Sequence, residues 1–171
     1  KMHHIFLVDT RYTFDILHAM TTIKALTVCQ PHASAIIRGP KRYENRTWVT
    51  SYRGPLLIHA GASRKWYTPI TREWYEARGF TYGFGDRSLP LGAFIGIAWL
   101  ENILPLSFVP EDQRFTACAE GPFCWNVVDP LEFPDTIPAK GALGLFEVSA
   151  KEILDIEGMS KWIERHGVKR T

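Results

Sequence analysis

The sequence predicts a mixed α+β fold: a small, mostly β barrel of about five or six strands decorated by short helices. Three observations carry that expectation. The 171 residues fit one domain, at roughly 100 to 200 residues per domain. Short β-branched and apolar runs recur along the chain, divided by Gly- and Pro-containing turns. Only a few segments carry helix start and stop signals.

Taken in order, residues 1–22 differ in character from the rest of the chain, and Met20 stands just ahead of a strand-like run. The segment before Met20 therefore reads as an extension. Ile23 to Cys29 reads as a strand. Gln30 to Gly39 reads as a short helix, with Pro31 at its first position and Gly39 as a left-handed residue past its end. Tyr43 to Thr50 reads as extended, and Arg53-Gly54-Pro55 turns into the strand Leu56 to Ala60. A second helix is expected from Pro69 to Arg78, capped by Thr68 and stopped by Gly79. Phe80 to Ser88 has the composition of a long surface loop. Strands are expected at Ala93 to Leu100, Phe123 to Val128 and Leu143 to Val148, with a proline-rich stretch, Pro130 to Pro138, between the last two. The main domain thus spans residues 23–149, and residues 150–171 form a helical segment ending at Gly167.

Charge is divided unevenly. Lys plus Arg is 20 and Asp plus Glu is 18, a net of +2 that announces neither a nucleic-acid nor a membrane protein. From Arg38 to Arg87, however, ten basic residues face four acidic ones, a local net of +6. From Glu101 to Asp135, seven acidic residues face Arg114 alone, a local net of −6. The basic half is the place to look for function.

The longest apolar stretch, Leu89 to Leu100, has 12 residues and is interrupted by Pro90, Gly92 and Gly96, short of the roughly 20 that span a bilayer. No membrane partner is expected. Asp9, Arg11 and Asp15 break any apolar core of a secretory signal. Cys29, Cys118 and Cys124 are odd in number and widely spaced, which suits reduced thiols in a cytoplasmic protein and offers no zinc spacing. No metal or cofactor is called for.

The densest polar chemistry lies in Gly39 to Trp48. In an extended chain Glu44, Arg46 and Trp48 share one face while Tyr43, Asn45 and Thr47 share the other. Arg46 can grip a phosphate or a base edge through its planar fork. An ion pair from Glu44 to Arg46 or Lys41 that fixes the loop accounts for the same residues. His59, ending an apolar strand, is a general base or a hydrogen-bonded structural residue. Ser63, Arg64 and Lys65 come after a glycine, as in loops that meet phosphate, though a solvated basic turn has the same composition. Of the six tryptophans, Trp74 and Trp99 are assigned to packing, whereas Trp125 beside Asn126 is a candidate base reader. Lys140 before Gly141 is a further candidate phosphate contact or a turn residue.

In order along the chain, Gln30-Pro31 with Ala33-Ser34, Gly39-x-Lys41-x-x-Glu44-x-Arg46, Arg53-Gly54-Pro55-Leu56, His59-Ala60, Leu89-Pro-x-Gly92, Gly121-Pro122-Phe123 and Lys140-Gly141 resemble the ASCH (activating signal cointegrator homology) domain family. The resemblance covers about Ile23 to Val148 and implies a PUA-like β barrel. His32 departs from it, since relatives often carry tryptophan there. The resemblance implies binding of RNA, or of a modified nucleoside, in a cleft lined by Lys41, Glu44 and Arg46, with His59, Trp125 and Lys140 as additions; the residues themselves add Arg53, Ser63, Arg64, Lys65 and Asn126 as candidate nucleic-acid contacts.

Some relatives are amidohydrolases on acetylated cytidine and others ribonucleases, so Lys41 and Glu44 are the catalytic candidates if the chain is an enzyme. The amidohydrolase branch carries threonine where this chain has Glu44, so that mechanism does not transfer directly. A metal-free ribonuclease needs an acid and a base astride a phosphate, for which Lys41 and His59 qualify by type. A protein-interaction module in transcription is a third reading, suggested by the family name.

Overall fold

A computed structural model of the chain describes residues 22–81 and 89–166. The expectations for the N-terminal extension, for most of the Phe80 to Ser88 loop and for the stop at Gly167 lie outside those residues.

The strands are β1 (Thr22–Val28), β2 (Tyr43–Arg46), β3 (Gly54–Ala60), β4 (Ala93–Pro105), β5 (Phe123–Pro138) and β6 (Leu145–Ser149). They form one sheet in the order β2-β5-β4-β3-β1-β6, antiparallel except for the parallel pair β1 and β3. The α+β class is as expected. The sheet is open, with β2 and β6 at its edges, and barrel closure is not among the strand pairings of the described residues.

Both faces of the sheet are covered, which is why β3 is buried at every position. Helix α1 (His32–Arg38) lays Ala33, Ile36 and Ile37 on one face, against Leu56, Ile58, Leu100 and Trp125. On the opposite face, helices α4 (Lys151–Leu154) and α5 (Met159–His166) pack Ile153, Met159, Trp162 and Ile163 against Ile23, Ala25, Leu57 and Ile97. Alternation along β3 sends Leu56 and Ile58 to the first core and Leu57 to the second. The C-terminal helices therefore complete the main core. No helix among the described residues is long and apolar enough to cross a membrane.

Several elements depart from the sequence reading. Gly39 is extended (φ −145°), so it does not end α1 as a left-handed residue. Close approach explains the glycine instead, since a Cβ there would lie 2.6 Å from the Phe80 ring. Strand β2 stops at Arg46, opposite Phe123, and the carbonyl of the next partner residue, Pro122, turns to the other side and accepts from Leu106 N at 3.1 Å. The proline-rich stretch is no connector: it is the second half of β5. Prolines are tolerated there because β2 pairs only with Phe123 to Asn126, leaving one edge of β5 without a strand partner beyond that point. Helix α2 (Pro69–Glu76) is capped as expected, Thr68 Oγ1 accepting from Thr71 N at 3.1 Å. A 3-10 turn (Leu106–Phe108) and helix α3 (Glu111–Thr116) were not expected, and the acidic segment supplies Glu111 and Asp112 to the first turn of α3.

Candidate functional site

At the C-terminal end of β1, α1, the Gly39–Arg46 segment and the turn after β3 converge around a cavity of about 380 Å³. Lys41, Glu44, Arg46, His32, Trp66 and Thr27 are among its walls. Lys41 precedes β2 and is placed by its own backbone N–H, which donates to Ala35 O at 3.1 Å. Glu44 and Arg46, two apart on β2, project to the same side.

The three charges form one chain of contacts. Lys41, only 4% exposed, donates from Nζ to Tyr43 O at 2.6 Å and pairs with Glu44 Oε2 at 3.3 Å. Glu44, 7% exposed, takes an Arg46 Nη at 3.0 Å on its other oxygen. The same Arg46 nitrogen donates to Thr27 O at 2.8 Å, tying β2 to β1 across the cavity. Arg46 Nε is buried without a hydrogen-bond partner among the described residues. The expected face-sharing of Glu44 and Arg46 is present, and the ion pair reading holds for both Lys41 and Arg46. On the other side of β2, Asn45 Oδ1 accepts from the N–H groups of Glu120 and Gly121 at 2.9 and 3.0 Å, fixing that wall.

Two residues that were not among the candidate site residues shape the mouth: His32, noted only as a departure from the family pattern, and Trp66. His32 Nδ1 lies 2.6 Å from the Tyr75 hydroxyl. Burial, with the charges of Lys41 and Arg46, lowers its pKa to about 4 against the opposing pull of Glu44. Burial likewise pushes the Tyr75 phenol well above its ordinary range. Both groups are thus uncharged near neutral pH. Trp66 is 43% exposed, stands edge-on to His32 at 5.8 Å between centroids and has Lys65 Nζ over its ring at 5.0 Å. Its position directly after Arg64-Lys65 was the available signal, a basic pair running into an aromatic.

The remaining candidates divide. His59 and Lys140 line a different cavity, of about 520 Å³, so Lys41 and His59 do not share a chamber as an acid and base pair. His59 donates from Nε2 to Ala139 O at 3.0 Å and packs edge-on to Phe94. Ser63, Arg64 and Lys65 are exposed on the turn between Gly61 and Trp66. Arg53 donates to Thr50 O and Tyr52 O at 2.9 and 2.7 Å and holds its own turn. Asn126 is spent at both ends, accepting from Arg42 Nε at 2.9 Å and donating to Glu101 at 2.7 Å. Trp125 is fully buried, with Nε1 donating to Trp48 O at 3.1 Å and its ring edge-on to Trp48. It is a core residue and lines neither cavity.

The sequence pattern of the ASCH domain matches residues 26–170. Human activating signal cointegrator 1 is 28% identical over 130 residues, which are 74% of this chain and 22% of that protein. The mouse protein of the same name is 27% identical over a stretch of the same length. The chain thus spans about a fifth of the length of these relatives. Among solved structures, ASCH from Zymomonas mobilis superposes with a TM-score of 0.45 at 15% identity, covering 76% of this chain and 90% of that one. A single-site mutant of the same protein gives 0.47 at 15% identity, covering 78% and 98%. On the family match across most of its length, the chain belongs to the ASCH domain family.

Proposed function

We propose that this chain binds RNA or a modified nucleoside in the cavity built on Lys41, Glu44 and Arg46. The observation that carries the reading is the buried Lys41–Glu44–Arg46 cluster at the base of a cavity with an exposed tryptophan at its mouth. The volume lies in the range of small-ligand pockets, about 300 to 1,000 Å³, and admits a single base or nucleoside more readily than a helix. Arg46 and Lys41 supply donors, Glu44 an acceptor, Trp66 a stacking surface, and Arg64 and Lys65 meet phosphate outside. Free cysteines at 29, 118 and 124 suit action in the cytoplasm. In this reading the six-stranded sheet is the counterpart of a PUA-like barrel, with β2 and β6 at its open edges.

A second reading, a small hydrolase acting on a modified pyrimidine, is favoured by the 3.3 Å approach of Lys41 to Glu44 inside a cavity. Against it, both Glu44 oxygens are already engaged by a cation, one by Lys41 and the other by Arg46, so neither is left to position a substrate water. Incubation with acetylated cytidine, related modified pyrimidines and labelled RNA, with Lys41→Ala as control, separates the readings. Binding without turnover supports the first, and Lys41-dependent turnover replaces it with the second. Recovery of protein partners alone from a pull-down, with no nucleic acid bound, favours a protein-interaction module instead.

A further inference from the structure

Across Thr27 from the Lys41 cavity lies the second one, and the two share that residue as a wall. Thr27 is anchored from both sides: its carbonyl accepts from Arg46 at 2.8 Å and its Oγ1 from Ala142 N at 3.2 Å. The turn after β3 borders both cavities too. Gly61 and Ala62 line the second, Trp66 lines the first, and Ser63, Arg64 and Lys65 stand exposed between them. Among the described residues, neither Arg64 nor Lys65 has a carboxylate partner within 4.0 Å.

The second cavity has its own polar feature. His59 is 2% exposed, and its Nδ1 is buried with no partner among the described residues. The loop at Gly141 closes over that ring edge only because the residue is glycine, since a Cβ there would lie 2.6 Å from both His59 Cε1 and Thr27 Oγ1. Lys140 stands exposed at the rim beside a fully exposed Leu143. The small residues Gly61, Ala62, Gly92 and Ala139 leave room for a heterocycle beside His59, and the rim cation suits a phosphate linked to it.

We propose that the two cavities are adjacent nucleotide subsites of one track, so that the chain takes a single strand of at least two nucleotides, with the linking phosphodiester beside Ser63–Lys65. The proposal rests on the nucleic-acid reading of the Lys41 cavity. It requires a single strand, because the bases of a duplex stay stacked and paired and cannot enter two separate chambers.

The test compares binding of the four ribonucleoside 5′-monophosphates, the matching 5′-phosphorylated homodinucleotides, a ten-nucleotide single strand and the same sequence as a duplex. It uses the whole chain, Ala62→Glu and Lys140→Ala, each checked for an unchanged melting temperature. The expected result is a dinucleotide bound about tenfold tighter than its mononucleotide, the gain of one further base in the second cavity and one charge-paired phosphate. Ala62→Glu brings that ratio close to one, Lys140→Ala lowers it, and the single strand outcompetes the duplex. Equal affinity for mono- and dinucleotide, a ratio unmoved by both variants, or preference for the duplex overturns the track and leaves the Lys41 cavity reading standing. Absence of binding to every probe overturns that reading and the track together.

Discussion

The Glu44 carboxylate lies 3.3 Å from the Lys41 ammonium, with both side chains more than nine-tenths buried, while its second oxygen holds Arg46 at 3.0 Å. Charges removed from water in this way are tolerated only as a set. Loss of one partner leaves an uncompensated buried charge, at a cost of about 3 to 5 kcal/mol. Glu44→Gln is therefore expected to destabilise the fold by about that amount in urea unfolding. The double variant Lys41→Met with Glu44→Gln is expected to be more stable than Glu44→Gln alone, since it removes the cation left unpaired.

Two tryptophans close to the same strand are expected to behave in opposite ways. Trp66 is 43% exposed at the cavity mouth, so Trp66→Ala should leave stability within about 0.5 kcal/mol and weaken ligand binding by about 1 to 3 kcal/mol of lost stacking. Trp125 fills the core, and Trp125→Ala should cost about 3 to 5 kcal/mol of stability. Thermal unfolding beside a binding titration of each variant checks both.

His32 gives the site a pH dependence of known sign. Its pKa is held to about 4 in the fold, below the ordinary 6.5, so the unfolded chain binds the extra proton first. The stability from the neutral ring is fully present above about pH 6.5 and is lost as pH falls toward 4. That is a loss of about 2 to 3 kcal/mol across the window. His32→Gln should flatten the wild-type slope between pH 6.5 and 5, measured by urea unfolding at each pH. Wild-type and variant curves that stay parallel would contradict the assignment.

Gly39 is held by the ring of Phe80, and Gly39→Ala is expected to displace that ring at a cost of about 1 to 3 kcal/mol. Lys41 is two residues further on, so the variant should also weaken ligand binding. A melting temperature equal to wild type would contradict the close-approach account.

The parts of the molecule legible in the sequence were those with local causes. The Thr68 cap of α2, the apolar runs of β1 and β3 and the shared face of Glu44 and Arg46 all come from spacing a few residues long. The parts that were not legible depended on partners far along the chain. The prolines of β5 read as a connector, because nothing local reveals that β2 is too short to need their missing N–H groups. Trp125 read as a base reader, because its burial comes from α1 and Trp48 and not from its neighbours in sequence. His59 was a reasonable partner for Lys41 by type, yet β1 stands between them and assigns each to its own cavity. Trp66 and His32, 34 residues apart in sequence, meet only once α1 and the turn after β3 come together.

In the proposed function, nucleic acid is held in the Lys41–Glu44–Arg46 cavity with phosphate meeting the basic turn outside it. The most direct test is a salt titration of binding to a labelled single-stranded RNA, with wild type, Lys41→Ala and Arg46→Ala compared after each is shown to be folded. Affinity is expected to fall with salt, with a log–log slope of about −1.4 to −2.1 for two or three phosphate contacts on a single strand, and both variants are expected to bind at least about tenfold more weakly. Affinity independent of salt, or full binding by both variants, would contradict it.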